Sequence, residues 1–337
     1  MVADPVARPR SWISEGRFHD IDAQAAQYHG YGQRYQQLSS GPFEGRFCSF
    51  HFGDDLVVNL ESANRELAAS AATPPGRYGV CFLAESSPPC ALNASSFELD
   101  HVLLSPENKS VEGTMAEGVN IYCMDISSTL FADDGGEIRR AAVLSDPARS
   151  RQLRELVHSG ISTFTSLESP ADYPAAVCGF KAAIADLLWR MAASGAADDG
   201  VSARLYSAAR TLQVFRRARD YIHHHLGDGI SIPILCKQTG VSRRSLECVF
   251  RSVVGIGPGN YVRLLQLNLI RRDLLSGASD DVSIGVVAAR HGVWHWSRFS
   301  RYYRSLFGEL PSQTRQRRVG CANNSAMGFA ASGTARV

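Results

Sequence analysis

The chain has 337 residues, 45% hydrophobic and 20% charged, long enough for two or three domains that each bury a core. No apolar run approaches the eighteen residues of a membrane span, and the N-terminus has no charged start leading into an apolar stretch, so neither a span nor a signal peptide is expected. The net charge of +2 divides into −11 over residues 1–200 (15 Lys or Arg against 26 Asp or Glu) and +13 over residues 201–337 (20 against 7), which points the C-terminal part at a polyanion such as nucleic acid. The eight cysteines include no C-x-x-C pair and read as reduced thiols in a cytosolic chain.

Residues 1–16 are polar and proline-rich and read as a flexible arm; helical character is confined to the neighbourhood of Asp22 to His29. Between Arg46 and Ile126, short β-branched and aromatic runs alternate with turn clusters. Strands are predicted at Arg46 to Phe52, Leu56 to Glu61, Tyr78 to Glu85, Phe97 to Leu104 and Gly118 to Asp125. Regularly spaced short strands indicate a β-sandwich or small barrel, and residues 17–145 are read as a jelly-roll barrel with a sensing or dimerisation role. His51 and His101 lie fifty residues apart with no H-x-H beside them, so no metal site is expected. No nucleophile constellation or glycine-rich phosphate loop is recognisable either.

Residues 146–191 return to helical periodicity, with a short run at Leu153, Leu156 and Val157 and a longer one from Pro174 through Phe180 to Leu188. This pair either covers the barrel or meets a second subunit. Residues 192–209 are small and polar and read as a linker. A helix is predicted from Gln213 to Leu226. Its His223, His224 and His225 face different directions and are read as solvated.

The remainder contains one pattern twice. Cys236, Gly240, Leu246, Phe250, Gly255 and Pro258 are echoed by Ala288, Gly292, Phe299, Tyr303, Gly308 and Pro311. The offset changes from 52 to 53 after Gly292, so one residue has been added in the second turn. A small residue, a glycine four positions later and a capped amphipathic run describe a helix-turn-helix. The first unit (231–254) pairs a helix from Ile232 to Thr239 with one from Arg243 to Val254, capped by Ser242. A long helix from Pro258 to about Ser276 follows, roughly 25–30 Å at ~1.5 Å per residue, close to the ~34 Å between successive major grooves on one DNA face. The second unit (283–307) pairs Ser283 to His291 with Trp296 to Phe307.

The stretches Cys236 to Leu246, Tyr261 to Leu275 with its Arg271 and Arg272, and Gly292 to Pro311 together resemble the DNA-binding domain of AraC/XylS-type transcription regulators, over about residues 210–318. Upstream, Gly41 to Gly45 and Asn64 to Arg77 are more weakly similar to the N-terminal domain of ethanolamine-operon-type regulators. The resemblance implies a base-reading face at Arg244, Glu247 and Cys248 in the first unit and at Ser297, Arg298 and Arg301 in the second. Phosphate contacts are expected from Arg243, Arg251 and Arg304. It also implies double-stranded DNA and RNA polymerase as partners, a small-molecule inducer, and a homodimer, in a bacterial cytoplasmic, nucleoid-associated activator without enzymatic activity or cofactor. Cys248 departs from the long polar residue common at its position, and Val293 from a usual phenylalanine whose bulk Trp294 or Trp296 could supply. The tail 319–337 is expected to be disordered. Two readings compete: an enzyme, either a metal-dependent barrel or a thiol-based alkyl acceptor fused to this domain, and an architectural DNA binder without regulatory input.

Overall fold

The computed structural model describes residues 12–134, 141–167, 170–195, 199–277 and 282–317. The sheet-rich domain opens with β1 (Ile13–Phe18), a short helix α1 (Ile21–Ala25) and β2 (Arg34–Gln37). It continues through β3 (Gly45–His51), β4 (Leu56–Ala63), β5 (Leu67–Ala72), β6 (Arg77–Leu83), β7 (Cys90–Leu92), β8 (Ser95–Phe97), β9 (His101–Ser105), β10 (Ser110–Met115), β11 (Val119–Ser127) and β12 (Ala142–Ser145). The strands form a seven-stranded sheet, β1-β3-β4-β11-β6-β9-β12, and a five-stranded sheet, β2-β5-β10-β7-β8. Neither sheet closes on itself, so the expected barrel is an open two-sheet stack. The flexible arm expected over residues 1–16 does not hold for Ile13 to Gly16, which pair with β3; residues 1–11 lie outside the described residues.

Side-chain alternation along the central strands builds two cores at once. On β6 and β11, Tyr78, Val80, Phe82, Tyr122, Met124 and Ile126 face the helix pair α2 (Pro147–Ser166) and α3 (Pro174–Gly195). The intervening Leu83, Val119 and Ile121 face the five-stranded sheet. Phe52 meets Phe164 of α2 at 5.3 Å and Phe180 of α3 at 5.0 Å between ring centroids. The helix pair therefore covers the sheet, the first of the two alternatives that periodicity left open.

The linker reading of 192–209 fails over most of its length: α3 runs to Gly195 and α4 (Asp199–His224) begins fourteen residues before Gln213. Alanine, leucine and arginine are good helix formers, and the glycines that suggested a linker stand near helix ends. Residues 196–198 and the tail 319–337 lie outside the described residues.

The helical domain follows the predicted repeat closely. Its elements are α5 (Ile232–Thr239), α6 (Arg243–Val254), α7 (Pro258–Ser276), α8 (Ile284–Arg290) and α9 (Trp296–Phe307), with 311–317 helical after them. Phe215, Ile222, Leu235, Leu246, Phe250 and Val253 form the first unit's core; Val287, Ala288, Phe299, Tyr303, Leu306 and Phe307 form the second's. The connector α7 belongs to both, giving Tyr261 and Leu265 to the first and Leu264, Leu267, Ile270 and Leu274 to the second. A helix apolar on two sides welds the units into one body. The closing motif has a physical role: Glu309 pairs with buried Arg271 of α7 at 2.6 Å and accepts from Thr314, whose hydroxyl meets that of Tyr303. Burial pushes the Tyr303 phenol up to about 12.

The residue added to the second turn can be identified. Val293 donates its N–H to Ala288 O and packs on the second core as Val241 packs on the first. The extra residue is Trp294, which projects outward at 67% exposure. Neither tryptophan fills the place of the usual phenylalanine: Trp296 is also exposed, lying over Gly285 and edge-on to Phe299 at 5.8 Å. Gly292 has φ of 75°, and a Cβ there would stand 2.3 Å from Leu226 O, so both the turn and the close approach require glycine.

The two domains are joined along β2 by a buried polar clasp. Asn268, 4% exposed on α7, accepts from Gln37 N at 3.0 Å through Oδ1 and donates to Gln37 O at 3.2 Å through Nδ2. Its amide thus substitutes for a neighbouring strand at the edge of the five-stranded sheet. Gln37 Nε2 in turn donates to Leu306 O of α9 at 2.9 Å, and Gly41 N donates to the same carbonyl at 2.9 Å. Arg272 of α7 grips Asp22, with Nε to Oδ2 at 2.9 Å, and Arg219 of α4 pairs with buried Glu112 of β10.

Candidate nucleic-acid interface and sandwich cavity

On α6, Leu246, Phe250, Val253 and Val254 face inward. Arg244, Glu247, Cys248 and Arg251 recur at i, i+3, i+4 and i+7, which places them on one outward stripe. Ser242 caps the helix, accepting from Ser245 N at 3.1 Å, and Gly255 ends it with φ of 70°. Arg243, Arg244, Cys248 and Arg251 are exposed. Glu247 is half-buried: its carboxylate meets Arg251 Nε at 3.2 Å and leans over the Gly257 turn. It is therefore folded along its own helix instead of standing out from it.

On α9, Phe299, Tyr303, Leu306 and Phe307 are buried while Arg298, Arg301, Tyr302 and Arg304 are exposed. Arg298 and Arg301 lie one turn apart on a single stripe; the side chain of Ser297 lies outside the described residues. One cation that sequence reading missed joins them: Arg263 of α7 stacks over the Tyr302 ring at 4.8 Å, adding charge from the connector to the second outward face. The N-terminus of α9 has His295 at its cap with no side-chain hydrogen bond. The two units thus share a scaffold and differ in their outward chemistry.

A family model described as a helix-turn-helix domain matches residues 235–317. The chain is 38% identical over 104 residues to XylDLEGF operon transcriptional activator 3 of Pseudomonas putida, covering 31% of each chain. It is 30% identical to a solved structure of a probable AraC family transcriptional regulator from Rhodopseudomonas palustris, covering 32% of this chain and 97% of that one, with a TM-score of 0.29. Its C-terminal domain is of the AraC/XylS type. The relatives matched over it are transcription regulators. A third likeness, to the AraC-like transcriptional activator CuxR, covers 82% of this chain and 100% of that one at 17% identity and a TM-score of 0.44. The matched segment spans about a third of the length of the Pseudomonas activators.

Alongside its AraC/XylS-type domain, the chain holds a cavity of about 90 Å³ between the two sheets, smaller than most small-molecule sites. Leu92, Leu103, Val111, Met115 and Ile121 form its apolar wall, while Tyr28, Tyr35, Asn59, Glu61 and Asp125 bring polar groups to the other side. Glu61 is 1% exposed and accepts from Gln24 Nε2 at 2.7 Å, Tyr28 OH at 2.7 Å and Tyr35 OH at 2.8 Å. Asp125 pairs with Arg77 at 2.7 Å and accepts from Tyr31 OH at 2.9 Å. Sequence reading passed over this cluster because Glu61 ends a strand-like run with nothing to mark it as inward.

Burial raises the Glu61 carboxyl above the ordinary carboxylate value, against the opposing hydrogen bonds from Gln24, Tyr28 and Tyr35. The folded chain therefore binds this proton more tightly than the unfolded chain. Its contribution to stability is fully present below the unfolded pKa and is lost as pH rises through the folded one. Urea midpoints of wild type and Glu61→Gln, compared across that acid window, should show wild type gaining on the variant as pH falls. A gap that does not change with pH contradicts the assignment.

The histidines singled out in the sequence go separate ways. His51 meets Ser49 Oγ at 3.1 Å, and His101 Nδ1 accepts from Glu98 N at 3.0 Å. His224 contacts Asp220 O, while His225 stacks on Tyr221 at 4.3 Å.

Proposed function

We propose that the chain is a sequence-specific DNA-binding transcription regulator, an activator whose DNA-binding domain answers to a small molecule held between the two sheets. The observation that carries this reading is the pair of helix-turn-helix units fixed on one connector helix, with unlike arginine-bearing faces turned outward. Arg244, Arg298 and Arg301 are assigned to base edges, where guanidinium forks fit guanine O6 and N7. Cys248 can pack against a thymine methyl. Glu247 reads cytosine only after leaving Arg251, and Ser297 completes the second face by position. Arg243, Arg251 and Arg304 are assigned to phosphates, with Arg263 as an addition from the connector.

The cavity's lining, apolar on one wall and polar on the other, supports the inducer role, and β2 supplies a route from it. Tyr35 on that strand bonds Glu61 in the cavity, while the next two residues reach the other domain: Gln36 bonds Tyr261 at 3.3 Å and Gln37 bonds Asn268 and Leu306. A ligand that moves Tyr35 therefore pulls on both helix-turn-helix units through one short strand. RNA polymerase as a partner, a homodimer, and a bacterial cytoplasmic location at the nucleoid belong to the same reading. No helix among the described residues is long and apolar enough to cross a membrane.

Selection of duplexes from a random pool by the intact chain tests the proposal. A regulator should favour its selected site over random DNA by roughly 10³ or more at physiological salt, whereas an architectural binder would show little preference.

A further inference from the structure

Cys81 on β6 and Cys123 on β11 stand directly opposite one another in the seven-stranded sheet. Ala84 N donates to Asn120 O, and Ser128 N to Gly76 O, so the hydrogen-bonded pairs of this ladder fall on the even-numbered residues of β6. Counting by twos, Cys81 and Cys123 form a non-hydrogen-bonded pair, the kind in which Cα atoms are ~4.5 Å apart and side chains lie closest. Both residues line the sandwich cavity and both are only half-buried, so the surface they keep is cavity wall. Tyr28, whose hydroxyl donates to Glu61 at 2.7 Å, also stands against Cys123. Neither the DNA-reading units nor the interdomain clasp uses this pair.

The facing Cys81 sulfur and burial together push the Cys123 thiol well above its ordinary range. Attack on a disulfide or peroxide requires the thiolate, which such an environment disfavours. A ligand whose own oxygen carries the thiol protons away needs no free thiolate.

We propose that Cys81 and Cys123 form a dithiol site, open to the cavity, for a ligand with a single thiophilic centre, an organic compound of trivalent arsenic. Two S–H bonds break and two As–S bonds form; the arsenic stays trivalent, and its oxygen leaves with the two protons as water. The organic substituent lies against Leu92, Leu103 and Met115 on the apolar wall. The site depends on the cavity's geometry and not on whether that cavity also holds an inducer.

The test uses the full chain, reduced with a phosphine and given one equivalent of phenylarsine oxide, followed by intact mass and thiol titration. Wild type should take up one phenylarsenic group and lose two titratable thiols. Cys81→Ser and Cys123→Ser should each bind at least about tenfold more weakly, while Cys178→Ser and Cys248→Ser, which remove the thiols exposed among the described residues, should bind as wild type does. Cys81→Ala and Cys123→Val keep the wall apolar and should show the same loss with an unchanged thermal midpoint, which separates lost ligation from misfolding. Wild type that leaves the arsenical free at stoichiometric concentration, or Cys81→Ser binding as tightly as wild type, overturns the proposal.

Discussion

Arg244→Ala and Arg301→Ala should each lower affinity for the selected site by about 1–3 kcal/mol, roughly 5- to 150-fold, and relax base preference at one position. Each guanidinium stands exposed on an outward stripe of a recognition helix, free to present its fork to a guanine. Arg243→Ala and Arg304→Ala should instead weaken binding to all sequences alike and flatten the salt dependence by about one phosphate each. Arg251→Ala combines two effects, because Arg251 also holds Glu247 at 3.2 Å; it should lose a phosphate contact and release Glu247 toward the DNA. Titrations of each variant against selected and random duplexes at several salt concentrations separate these classes. If footprints of Arg244→Ala and Arg301→Ala keep the wild-type preference, the reading face lies elsewhere.

Asn268→Ala should loosen the two domains without unfolding either. The substitution removes both partners of the Gln37 main chain at a buried position, and unmet buried amide groups cost on the order of 1–3 kcal/mol each. Water admitted to the gap recovers part of this, leaving roughly 2–4 kcal/mol of lost docking. Amide exchange at Gln37 and Leu38 should quicken markedly, while the cores around Phe250 and Tyr303 keep their protection. The Arg272–Asp22 pair is partly exposed and contributes less, so Asp22→Ala should produce the weaker version of the same change. Unchanged exchange at Gln37 in Asn268→Ala would show that the clasp does not hold the domains together.

The helical domain was legible because its signals are local. Gly240, Ser242, Gly255 and Gly308 each mark a helix boundary by backbone conformation or capping, and the repeat fixed the register between the two units. The sheet domain was legible only in part. Most strands of the seven-stranded sheet carry large apolar residues on both faces and were anticipated, whereas the five-stranded sheet was almost entirely missed. Its β5 reads Leu-Ala-Ala-Ser-Ala-Ala and its β10 contains Gly113, compositions with little strand preference. Ala69, Ala71 and Gly113 line the cavity, so the small side chains that obscured these strands are also those that leave room between the sheets. The outward arginines could be named from helical spacing alone. Long-range partners could not: Asn268 sits within an apolar stripe and meets Gln37 across 231 positions, and Cys81 meets Cys123 through a strand register that only the folded sheet defines.

The central claim, that two unlike helix-turn-helix faces on one connector read DNA together, is tested most directly by sequencing the duplexes that the intact chain selects from a random pool. The account predicts an asymmetric site with two different sequence blocks about one helical turn apart, the block under α9 surviving in variants that lose the block under α6. A single block, two identical blocks, or no enrichment over random DNA would contradict it.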